Sequence, residues 1–158
     1  MLFRSEEGED AVWLENRIRD AGDEPGNGYA FPVAETEDGT LEMDWHPMLT
    51  ELVRDLKAGL ELSMVSARFH LALARAVLDA ALHFPGEPVV LSGGCFQNLY
   101  LLEKTAHLLE SAGIRVYTNV QVPANDGGIS LGQAAVALAK WEETENVSGD
   151  SGNCGNHF

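Results

Sequence analysis

Two glycine-bearing stretches carry the residue types and spacing that could do chemistry. In Ser92-Gly93-Gly94-Cys95-Phe96-Gln97-Asn98, paired glycines stand between a short apolar run and a helical pattern. Glycine permits positive φ and lets a ligand come close to the backbone, while the orphan N–H groups of a helix's first turn can face a phosphate or the edge of an adenosine. Asn98, one turn into the expected helix, offers a donor and an acceptor to a ribose or base. On residue types alone, paired glycines serve more often as a tight strand-to-helix joint. The second stretch, Asn125-Asp126-Gly127-Gly128, holds a carboxylate that would suit a hard cation or a metal-bound phosphate, and that would serve equally as a helix cap. Both stretches fall at the carboxyl end of an expected strand, the edge along which open α/β sheets bind ligands, so the two turns are expected to share one crevice. The spacing Gly127 to Gly132 superficially matches a phosphate loop, but Gln133 and Ala134 stand where Lys and Ser or Thr are required, which excludes one.

The remaining candidates are weaker. No two of the histidines His46, His70, His83, His107 and His157 are three to five residues apart, so no helical metal pair exists. His70, between Phe69 and Leu71, reads as packed or solvent-facing and not catalytic. Cys95 has the place of a helix-start thiol, yet without a base nearby in sequence it reads as a small buried residue. Cys95 and Cys154 form neither a metal-type spacing nor a disulfide framework and fit a reducing compartment.

The elements that must position these residues follow from periodicity. Ala11, Leu14 and Ile18 mark a helix over Glu9 to Ala21, closed by Gly22. Asp38-Gly39 sits between Tyr29–Ala34 and Thr40–Asp44, predicting a hairpin. Pro47 opens a helix striped by Leu49, Leu52, Val53 and Leu56, and a longer helix runs from about Leu62 to Leu82. Pro88 to Leu91 predicts a strand buried on both faces. A helix over Gln97 to Ala112, a strand over Ile114 to Tyr117 and an Ala-rich helix over Ile129 to Trp141 complete a β-α-β-α order. The polar stretch 142–158 is expected to be a frayed tail, leaving 1–141 as the folded lobe.

With 158 residues, 45% hydrophobic and 22% charged, the chain can bury a core and is not a disordered segment. Its formal charge of −15 disfavours a nucleic-acid partner, and its apolar runs fall short of the roughly 20 residues that cross a bilayer. The start, Met-Leu-Phe-Arg-Ser-Glu-Glu, lacks a signal peptide's order, so a cytoplasmic setting is expected.

Taken together, Val89-Val90-Leu91-Ser92-Gly93-Gly94-Cys95-Phe96-Gln97-Asn98 and Val122-Pro123-Ala124-Asn125-Asp126-Gly127-Gly128-Ile129-Ser130-Leu131-Gly132-Gln133-Ala134 closely resemble the carboxyl-terminal part of the HypF family, the carbamoyltransferases that mature [NiFe] hydrogenases. Weaker resemblance extends through Ala67-Arg68-Phe69-His70 and Glu7-Gly8. The resemblance implies an α/β fold: an incomplete actin-like (ribonuclease H-like) ATPase lobe with additional helices. It implies that Gly93, Gly94 and Asn98 hold the adenosine of ATP or carbamoyl adenylate, that Glu7 meets the ribose, that Gly127 lies near phosphate, and that Asp126 is one ligand of a divalent metal. The carbamoyl group would pass to the carboxyl-terminal cysteine of a HypE-type maturation partner. Members of the family are several times longer, so the chain is expected to be a fragment or one product of a split gene, inactive alone and partnered by a separately encoded remainder. The apolar face left by the missing lobe is expected to favour a homodimer or poor solubility when the chain is expressed alone. Leu99 stands where arginine is common, and Cys95 where valine is common. A noncatalytic docking module of a split enzyme and threonylcarbamoyl transfer to tRNA are the rival readings.

Overall fold

The computed structural model describes residues 9–18 and 26–148, arranged in two compact units, Met1–Thr118 and Asn119–Phe158. The first unit is organised around α3 (Leu62–Leu82), against which α1 (Glu9–Ile18), α2 (His46–Lys57) and α4 (Leu99–Ser111) pack. Ala67, Ala72, Ala74 and Ala76 of α3 are buried. Their small side chains let neighbouring elements come close on several sides, which larger residues would prevent. Tyr29, Met48, Val65 and Ala72 form a core cluster, with Phe31, Leu52 and Phe69 packed on it. Burial, then the nearby Asp55 carboxylate, pushes the Tyr29 phenol up to about 12. Beside it, Arg68 Nη1 donates to Asp55 Oδ2 at 2.8 Å, tying α3 to α2.

The hairpin is present as β1 (Val33–Glu35) and β2 (Leu41–Met43), antiparallel with Val33 opposite Met43 and Gly39 at φ +83° in the turn. Pro47 occupies the first turn of α2. The apolar stripe of α2 is only partly used: Met48 is its buried side chain, while Leu49, Val53 and Leu56 remain exposed.

Strands β3 (Val89–Leu91) and β4 (Val116–Thr118) pair in parallel, with Val90 opposite Tyr117. The expectation of a strand buried on both faces is corrected here. Leu91 is 2% exposed, whereas Val90 is 65% and Tyr117 54% exposed, so only one face of this pair is covered. Three residues are too few for a run of apolar side chains to distinguish the two cases.

In the second unit, α5 (Ile129–Ser148) follows a 3₁₀ turn over Asp126–Gly128. The helix continues seven residues beyond the 141 boundary, because Glu142, Glu143 and Glu145 are good helix formers even without an apolar face. Gly22, Glu7 and residues 149–158 lie outside the described residues. Among the described residues, no helix is long and apolar enough to cross a membrane.

One glycine fixes how the segment before β1 meets α3. A Cβ on Gly28 would stand 2.9 Å from Ala72 N and 3.2 Å from Arg68 O, both backbone atoms of a helix that cannot yield locally. Gly28→Ala is expected to lower stability by about 1–3 kcal/mol through forced displacement of the segment carrying Tyr29. Urea unfolding checks this, and an unchanged midpoint would show that the close approach is absent in solution.

Candidate functional site

The turn after β3 is built by two glycines with different duties. Gly93 sits at φ +94°, a conformation that side chains rarely adopt. Gly94 opens a 3₁₀ turn, Gly94–Gln97, without positive φ, and a Cβ added at either position would meet nothing within 4 Å. The backbone here therefore faces open space. Cys95 is exposed and not buried as its type suggested.

Asn98 is the cap of α4 and not a residue within it, because the 3₁₀ turn delays the helix to Leu99. Its Oδ1 accepts from Leu101 N at 2.9 Å, while Nδ2 lies 2.8 Å from His70 Nε2. A second first-turn amide, Leu99 N, donates to Glu15 Oε1 of α1 at 2.9 Å. Two of the N–H groups expected to face a phosphate are thus already occupied by side chains of the chain itself. A carboxylate at this terminus also satisfies the helix dipole, so the anion-binding role read for α4 is reduced.

His70 is 3% exposed and packed, edge-on to both Phe69 and Tyr100. Its Nδ1 lies 2.8 Å from Ser66 O, which can only accept, so Nδ1 carries the proton and Nε2 accepts from Asn98. Ser66 Oγ donates in turn to Leu14 O of α1 at 2.6 Å. Burial lowers the imidazole below its ordinary value, against opposing effects of the Ser66 hydrogen bond and the Glu15 charge, which favours the neutral ring that this pattern requires.

Between α1, α3 and the turn lies a cavity of about 300 Å³. Leu14, Phe69, Leu73 and Leu101 give it apolar walls, and Glu15 and Asn98 add polar groups. Apolar walls with a few directed polar groups are what a planar heterocycle and its sugar require. Glu15 and His70 were not picked out as binding groups from sequence. The signals available were the Ala67-Arg68-Phe69-His70 resemblance for His70 and, for Glu15, its place one turn after Ala11 and beside Leu14 on the helical stripe.

The second turn lies in the other unit. Asn125 Oδ1 accepts from Gly127 N at 3.0 Å, capping the 3₁₀ turn, and Asp126 is exposed in its first position. A Cβ on Gly128 would stand 2.7 Å from Pro123 O, so this glycine permits a close backbone approach. Among the described residues no group of three His, Cys, Asp or Glu side chains is placed to hold a metal ion. Asp126 is a single carboxylate, insufficient by itself for a divalent cation.

Comparison with known proteins supplies the family. The family described as "Carbamoyltransferase, Kae1-like Domain, second subdomain" matches residues 3–133. Carbamoyltransferase HypF of Rhodobacter capsulatus is 37% identical over 145 residues, covering 89% of this chain and 18% of that protein. Carbamoyltransferase HypF of Synechocystis sp. is 33% identical over 93 residues, 59% of this chain and 12% of that one. A crystal structure of full-length HypF in the phosphate- and nucleotide-bound form superposes with a TM-score of 0.74 at 37% identity, covering 84% of this chain and 17% of that chain. The T.kodakarensis HypF crystal structure, at 22% identity and a TM-score of 0.68, agrees in fold. The chain spans less than a fifth of the length of these relatives. Its architecture is the α/β, actin-like lobe with additional helices. The chain belongs to the HypF carbamoyltransferase family, as the second subdomain of the Kae1-like domain.

Proposed function

We propose that this chain is the nucleotide-binding lobe of a HypF-like carbamoyltransferase, holding the adenosine of ATP or carbamoyl adenylate in the cavity bordered by α1, α3 and the Gly93–Gly94 turn. The observation that carries this reading is the meeting of an apolar cavity with an unobstructed glycine backbone and the Asn98 carboxamide. The nucleotide-bound state of the similar full-length HypF supports it. Glu15 borders the cavity and joins Glu7, which lies outside the described residues, as a carboxylate for the ribose hydroxyls.

In this reading Gly127 approaches phosphate and Asp126 gives one ligand to a divalent metal, whose other ligands come from outside this chain. The metal would neutralise phosphate charge. The chemistry is attack of a partner's carboxyl-terminal cysteine thiolate on the carbamoyl carbon of the adenylate. The C–S bond forms, the bond to the AMP oxygen breaks, and AMP leaves with the electron pair. A HypE-type maturation protein in the cytoplasm is the acceptor. The lobe alone supplies nucleoside binding but not the positioned thiolate, and proximity accounts for much of any such rate. The exposed pair Val90 and Tyr117 offers an apolar face to a covering lobe or to a second copy.

Gly94→Leu tests the nucleoside site, because the backbone at 94 tolerates a side chain and the space in front is empty. Thermal stability should stay within about 0.5 kcal/mol of wild type, as for ordinary surface changes. Calorimetric titration with ATP and magnesium should show binding to wild type and a loss of about tenfold or more in the variant. Equal affinity in both would remove the nucleoside from this cavity.

A further inference from the structure

Resting on the nucleoside reading above, we infer that His70 is a positioning residue for that site: its imidazole, together with Leu101 N–H, sets which end of the Asn98 carboxamide faces α4 and which faces α3. A carboxamide is nearly symmetric in shape, so packing alone would accept it in either orientation, and hydrogen-bond direction must choose. Two neighbours make the same choice. Leu101 N–H needs an acceptor and finds Oδ1 at 2.9 Å. His70 Nε2, bare because Nδ1 gives its proton to Ser66 O, needs a donor and finds Nδ2 at 2.8 Å. One N–H of Nδ2 and one lone pair of Oδ1 remain unspent by these two bonds, a donor and an acceptor of fixed placement for a nucleoside. Ser66, whose carbonyl holds Nδ1, also donates its hydroxyl to Leu14 O, so one residue of α3 ties the ring and α1 together beside the cavity.

Protonation would break this choice. An imidazolium presents Nε2–H to the Asn98 NH₂, donor against donor. Turning the carboxamide relieves that clash only by setting its NH₂ against Leu101 N–H. Among the described residues, Glu15 of α1 acts on the ring through its charge, Tyr100 of α4 meets it edge-on and Cys95 lines the same cavity, while Arg68 on α3 is engaged with Asp55. Glu15 is the charged member among them and favours the imidazolium, whereas burial opposes it. Because the folded imidazole titrates below its ordinary value, the network is intact at neutral pH and is lost on acidification through that lowered value.

The test uses the full chain as wild type, His70→Phe and His70→Gln. Long-range proton–nitrogen NMR of wild type should show the Nδ1–H tautomer; the Nε2–H tautomer would overturn the inference. In ATP–magnesium titrations at neutral pH, His70→Phe should bind about tenfold more weakly, because the carboxamide loses its acceptor partner. His70→Gln, whose carbonyl reaches toward Asn98, should recover most of that loss. The ratio of wild-type to His70→Gln affinity, in which titration of ATP itself cancels, should fall on acidification. Unaltered binding by His70→Phe, or equal weakening in both variants, would assign the ring a packing role only. Absence of ATP binding by wild type would instead defeat the nucleoside reading, with the tautomer still deciding the carboxamide's orientation.

Discussion

Leu109→Ala is expected to lower the unfolding free energy by about 2–5 kcal/mol, a large share of the roughly 5–15 kcal/mol that holds a typical domain together. Leu109 is fully buried on α4, the helix that packs against α3 and β4. Truncation removes apolar burial and leaves a cavity that two helices and a short strand cannot readily close. The effect reaches the site because α4 carries Asn98 at its amino end. Weaker seating of the helix loosens the cap, so ATP affinity should fall in parallel. Urea unfolding followed by circular dichroism measures the stability term, with Leu109→Met as the volume-conserving control expected to cost less than about 1.5 kcal/mol. A loss below 1 kcal/mol for the alanine variant would show that the α3–α4 seam is loosely packed.

Asn98→Ala should have the second large effect, on stability and binding together. The lost cap costs about 1 kcal/mol. Leaving His70 Nε2 buried without its donor adds about 1–3 kcal/mol. These losses share one network, so His70→Phe combined with Asn98→Ala should cost less than the two singles summed, with a coupling of about 0.5–3 kcal/mol. Thermal unfolding of the four proteins measures that coupling. Additive losses would mean that the 2.8 Å contact does not form in solution. ATP affinity of Asn98→Ala should drop by about tenfold or more, since both the ligand's donor and its acceptor disappear.

The helices and the turns between them were readable in the amino acids, because each has a local physical cause. Pro47 opens α2, Gly39 takes the positive φ of the hairpin, and Gly113, at φ +77°, follows α4. The structure departs from these expectations where local pattern is silent. The one-sided burial of β3 depends on what covers each face, and the start of α4 depends on a 3₁₀ turn that shares its residue preferences with the helix. The stripe on α2 identified a helix correctly but not the side that faces inward. At the site, Gly93, Gly94 and Asn98 stood out as one turn. The partners that fix them did not. Glu15 lies 84 residues from Leu99, and His70 lies 28 from Asn98. Periodicity within a helix carries no information about a hydrogen bond formed across such separations. The flanking Phe69 and Leu71 left His70 open to either packing or exposure; the structure buries it, and burial is what makes its proton placement matter.

The adjacent glycines at 93 and 94 should part company under selection. A library of substitutions sorted once for cellular abundance and again for retention of a nucleotide analogue would penalise nearly every change at 93 in both sorts, since its backbone excludes ordinary residues. At 94 the first sort would be permissive and the second severe. Neighbouring identical letters would thus separate into a position kept for folding and a position kept for work.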